Sequence, residues 1–136
     1  MLLAGMGLGC GPVGMTAGPP TPPAEAAARA LVDDIVAAAR DRDFATLCGF
    51  GDANCPDVLA MAGRDRVPSE PPVIAGTWVL PPVGARVGGL VLQLGGIDGA
   101  GAPYATEVLV QAGPTGLVAI QPVYWSGMRV PRDATV

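Results

Sequence analysis

The chain has 136 residues, net charge −4, and half its residues hydrophobic, with only 4% aromatic. That length suits one domain, whose core must be built chiefly from Val, Leu, Ile and Ala. All eight basic residues are arginines, and they are scattered rather than lined up on one stripe. This argues against a nucleic-acid partner. The apolar runs, such as Val87 to Leu94, fall far short of the roughly 20 residues that span a bilayer.

Residues 1–9, MLLAGMGLG, are uncharged and apolar and read as a signal-like segment. Residues 10–23 begin with Cys10 and continue as GPVGMTAGPPTPP, a Gly- and Pro-rich tether with no apolar periodicity. Residues 24–136 form the single domain. The order of h-region, cysteine and tether resembles the bacterial lipoprotein family, with Gly9 and Cys10 at the end of its signal box. Gly7 and Leu8 depart from the usual residues there, and no Lys or Arg precedes Arg29. The resemblance implies lipidation of Cys10 and a membrane partner through that lipid. The domain is then expected outside the cell, at the outer face of the cytoplasmic membrane.

From Ala24 the sequence AEAAARALVDDIVAAARDRDFATL places apolar residues at 24, 27, 28, 31, 32, 35, 36 and 39. This spacing predicts an amphipathic helix, with Thr21 as N-cap, Pro22 in its first turn and a break near Asp41 before Leu47. Arg29 and Asp33 are spaced for an i, i+4 pair. A shorter helix is predicted from Pro56 and Asp57 to a stop at Gly63.

Cys48 and Cys55 flank GFGDAN between the two helical stretches. In an oxidising compartment they are expected to form a structural disulfide, two free thiols being the alternative. Closing so short a loop stabilises by about 2.5 kcal/mol on the chain-entropy estimate. The chain has no His, and the cysteines lack C-x-x-C spacing. Neither a metal site nor a redox pair is expected, and no cofactor is implied.

Beyond Ser69 the period becomes two. Strands are predicted at Val73 to Leu80, Ala85 to Ile97, Tyr104 to Gln111 and Leu117 to Trp125, forming an antiparallel meander with a bulge at Gly88 and Gly89. Helices followed by strands give an α+β class: a long N-terminal helix and a short second one packed on a curved antiparallel sheet of about four strands.

That arrangement, with the segments RDRDFATLC, NCPDVL, PYATEVLV and AIQPVYWSGM, resembles the nuclear-transport-factor-2-like superfamily and a class of small actinobacterial lipoproteins. The resemblance implies a cone-shaped domain. Candidate cavity-lining residues are Trp78, Tyr104, Glu107, Tyr124 and Trp125, suited to a protein or small apolar ligand. Without His no hydrolytic triad can be assembled, so a non-catalytic binding or interaction module is expected. The alternative implied by the superfamily is an isomerase or dehydratase in which Glu107 or Asp98 acts as general base beside Tyr104. The bland reading of the same residues turns Glu107 to solvent and uses the aromatics for packing. Asp33, Asp34, Asp41 and Asp43 read as a solvated helix face.

Overall fold

The computed structural model describes residues 21–51, 53–84 and 87–132. The signal-like segment, Cys10 and most of the tether lie outside the described residues. The domain is α+β, with α1 (Glu25–Arg40), α2 (Phe44–Gly49), α3 (Cys55–Ala62), a 3₁₀ turn at Arg64–Arg66, then β1 (Val73–Leu80), β2 (Gly89–Ile97), β3 (Pro103–Gly113) and β4 (Gly116–Ile120). The strands pair in the order β1-β2-β3-β4, all antiparallel, as the expected meander. Strand β1 lies at one edge of this sheet and carries no charged residue.

Helix α1 follows its sequence stripe, burying Ala28, Val32, Ile35, Val36 and Ala39. It begins later than predicted: Ala24 rather than Thr21 is the N-cap, without a side-chain cap. Arg29 pairs backward with Glu25 at 2.8 Å instead of forward with Asp33. The expected break falls at Asp41 to Asp43. Asp43 then caps α2, its carboxylate accepting from the backbone N–H and the hydroxyl of Thr46.

Cys48 and Cys55 are bridged, with Cα atoms 5.4 Å apart, so the disulfide joins the end of α2 to the start of α3. The loop it closes docks on the sheet, where the Ala119 N–H donates to the Phe50 carbonyl at 2.8 Å. Gly51 sits there against the Ala119 carbonyl and Pro122, with no room for a Cβ. Helix α3 ends at Gly63, whose φ of 98° suits a residue without a side chain.

Two strand boundaries differ from the sequence reading by about four residues or more, while β3 runs slightly past both of its expected ends and β4 starts at Gly116 rather than Leu117. Strand β2 starts at Gly89 rather than Ala85, and Gly88 and Gly89 pass so close to the carbonyls of Leu80 and Val110 that a side chain at either would collide. The sheet's register shift is not at these glycines but in β1, between Ile74 and Gly76. Strand β4 ends at Ile120 rather than Trp125. Gln121 turns the chain with φ of 72°, and Pro122 has no N–H to continue the ladder.

Alternation sorts the strands into two faces. On one, Leu90, Leu92, Leu94, Val108, Val110 and Ala119 join the buried residues of the three helices in the main core. On the other, Leu80, Val91 and Leu109 form a smaller cluster with Trp78, Ile120 and Val130. Residues 126–132 form a strap that reaches this outer face. It runs beside the stretch of β3 beyond the end of β4, where the Glu107 N–H donates to the Met128 carbonyl at 2.9 Å. The Gly127 N–H donates to the Thr106 hydroxyl at 2.8 Å.

Candidate functional site

The five aromatic and acidic residues singled out from sequence do not share one cavity. Tyr104, Tyr124 and Trp125 belong to the helix-side core, whereas Trp78 and Glu107 meet on the outer face. The separation follows from strand phase. Tyr104 alternates with Thr106 and Val108 on β3, and Glu107 falls on the opposite side; in β1, Trp78 pairs with Val91, which belongs to the outer cluster.

Glu107 is 2% exposed, neither solvent-facing nor free. Its Oε2 accepts from Trp78 Nε1 at 3.2 Å, Gln93 Nε2 at 3.0 Å and Arg132 Nη2 at 3.0 Å. Its Oε1 accepts from the Val130 backbone N–H at 3.0 Å. The Arg132 guanidinium also lies over the Trp78 ring, 4.2 Å from its centre. Gln93 reaches the carboxylate because its register partner on β1 is Gly76, where a side chain would press on the Gln93 amide oxygen. Burial pushes the Glu107 carboxyl upward, but the hydrogen bonds from Gln93, Arg132, Val130 and Trp78 outweigh it and hold the group down at about 2. The carboxylate is a permanent anion at neutral pH, with its lone pairs engaged by the protein itself.

Asp98 occupies the β2–β3 turn. Its Oδ1 accepts from the backbone N–H groups of Ala100 and Ala102, both at 2.9 Å, and its Oδ2 faces Arg66 at 3.4 Å. The Ala102 hydrogen bond leads in holding its carboxyl below the usual range; burial opposes, and Ala100 and Arg66 assist. This carboxylate therefore shapes a turn.

On the helix side, Tyr124 packs edge-on against both Tyr104 and Trp125, with ring centres 6.1 and 5.1 Å away. The Trp125 indole N–H donates to the Gly63 carbonyl at 3.1 Å, tying the end of α3 to the segment after β4. The hydroxyls of Tyr104 and Tyr124 are buried without a hydrogen-bond partner among the described residues. Burial, aided by the nearby Asp98 charge, pushes Tyr104 up to about 12. Tyr124 is raised as well, by burial first and Tyr104 second, with Arg40 opposing.

A groove of about 320 Å³ opens beside the Glu107 centre, lined by Val73, Ala75, Gly95, Ala105, Gln93 and Arg129 among others. A second hollow of about 190 Å³ lies where the last tether residues, Thr21 to Pro23, meet Val79, Leu80 and Val87. Among the described residues, no group of three or more Cys, Asp and Glu is placed to hold a metal ion, and no helix is long and apolar enough to cross a membrane. Asp33, Asp34, Asp41 and Asp43 are all exposed, as a solvated face requires.

Neither a family model, nor a curated protein, nor a solved structure matches this chain. Sequence reasoning missed Gln93 and Arg132. Gln93 carried a readable signal, as the lone polar residue in the apolar run LVLQL. Arg132 carried none, since it lies beyond the last periodic segment.

Proposed function

We propose that this chain is an extracytoplasmic lipoprotein, anchored to the outer face of the cytoplasmic membrane through Cys10, whose domain serves as a binding or interaction module without catalytic activity. The observation that carries the reading is the Cys48–Cys55 bridge. It fits an oxidising compartment and leaves Cys10 as the odd cysteine of three. The groove beside Glu107, apolar along most of its wall with Gln93, Glu107 and Arg129 as polar groups, supports the binding role. The order of helices and then a meander, with the helices against one face, supports a small relative of the nuclear-transport-factor-2-like cone.

An isomerase or dehydratase would want a carboxylate poised near the working pH. Glu107 and Asp98 are both shifted the other way, and both are held by donors of the protein itself. That favours the binding reading.

The test is the intact mass of the mature N-terminus, taken from membrane and soluble fractions of a native host. The expected result is a chain starting at Cys10 with a diacylglyceryl adduct in the membrane fraction. An unmodified Cys10, or a soluble chain retaining Met1, would overturn the anchor.

A further inference from the structure

We propose that Trp78, Gln93 and Glu107 form a recognition site for a guanidinium group, which Arg132 fills in cis, and that an arginine side chain on an extended peptide competes for it. The site has the two parts that guanidinium recognition uses. Glu107 supplies a carboxylate facing Arg132 with both oxygens, at 3.0 and 3.5 Å. Trp78 supplies an aromatic face 4.2 Å from the guanidinium carbon. Arg is favoured over Lys here, because a planar fork can meet the carboxylate edge and stack on the ring together, whereas an ammonium cannot.

Two further observations separate this from an ordinary surface ion pair. The burial is lopsided: the Glu107 side chain is 2% exposed and that of Arg132 55% exposed. The anion is therefore built into the domain and oriented by Gln93 and Trp78, while the cation enters from the solvent side. Removing Arg132 leaves a desolvated anion with an unmet demand for a cation. Glu107 also lines the groove of about 320 Å³, together with Val73 and Ala105, and that groove offers space for the rest of a peptide. The strap also binds as such a peptide would, seating Val130 in the outer apolar cluster two residues before Arg132. The site thus favours a hydrophobic residue two positions before the arginine.

The inference deepens the binding role proposed above and does not depend on the lipid. The experiment uses the full chain carrying Arg132→Ala, titrated with N-acetyl-arginine amide or its lysine counterpart and followed by the indole N–H resonances of Trp78 and Trp125. Saturable binding at Trp78, about tenfold tighter than to the unsubstituted chain and several-fold tighter for arginine than for lysine, is expected. Adding Glu107→Gln should abolish it. Where that double variant fails to fold, Arg132→Ala with Trp78→Phe, which weakens the stacking face and is followed by the Gln93 side-chain amide resonances instead, should lose about threefold in affinity. Equal affinity for the two probes, no gain on removing Arg132, or shifts at Trp125 in place of Trp78 would each overturn the site. None of these outcomes alters the mass of the N-terminus, so the anchor and the site fail separately.

Discussion

On the helix side of the sheet, Leu92, Val108 and Val110 share one large apolar core with residues of the three helices, and two tyrosine hydroxyls are buried there without a partner among the described residues. On the outer side, Leu80, Val91 and Leu109 are covered by Trp78, Ile120 and one residue of the strap, beside a carboxylate with a full set of donors. The apolar side has enough buried area to absorb the cost of two orphan hydroxyls. The outer side has little area and depends on satisfying one charge completely. The difference teaches that polar satisfaction matters most where the hydrophobic contribution is thinnest.

The largest expected effect lies on the apolar side. Leu92→Ala should destabilise the domain by about 3 kcal/mol through lost burial and a residual cavity. Leu109→Ala on the thinner outer cluster should cost about half of that, as read from urea midpoints with unchanged slopes. Equal costs would break the contrast between the two faces.

Next comes the carboxylate. Glu107→Gln keeps the size of the side chain but removes its charge and turns one oxygen into a donor facing the Gln93, Trp78 or Arg132 donors. A loss of about 2 kcal/mol is expected. Arg132→Ala should cost less, about 1 kcal/mol, because that side chain is half exposed and its contribution is screened by solvent. The reverse ranking would mean that the strap, rather than the buried anion, organises the outer face.

The same centre sets a pH dependence. Glu107 falls from an ordinary 4.5 to about 2 on folding, so the unfolded chain takes up its proton first as the solution is acidified. Its contribution to stability is fully present above about pH 5 and is lost as pH falls toward about 2. Urea midpoints measured across that window should drop for the unsubstituted chain, and the drop should be shallower in Glu107→Gln. An identical slope in both would assign the acid sensitivity to other carboxylates.

The smallest expected effect is on the orphan hydroxyls. Tyr124→Phe removes a buried group that has no partner among the described residues, so stability should stay within about 0.5 kcal/mol or rise. A clear loss would reveal a hydrogen bond at that hydroxyl and narrow the difference between the faces.

The parts of this fold governed by local pattern were legible. The stripe of α1, the break at Asp41 to Asp43, the Gly63 stop, the helix–helix disulfide and the order of the meander all follow from neighbours in the chain. What was not legible depends on distant partners. Strand β4 ends early because Gln121 adopts a left-handed conformation that no propensity announces. The shift in β1 moves Trp78 onto the face away from Tyr104, so two aromatics that look equivalent in sequence are separated by the sheet. Glu107 was marked as a candidate, but its burial is decided by a strap lying 21 to 25 positions further on. Without periodicity in residues 126–132, nothing in the sequence announces that contact.

The Trp125 indole bond to Gly63 joins residues 62 positions apart, whereas the meander and the disulfide close loops of a few residues each. Loop-closure entropy therefore places the hairpins and the bridged helical corner ahead of the contacts between helices and sheet, the Trp125 bond to Gly63 among them. For a chain delivered from its N-terminus, residues 125–132 tie down the end of α3 and reach the outer face after the meander has been delivered. Indole fluorescence from Trp125 is accordingly expected to report the end of folding, after the backbone signal of the sheet has already risen.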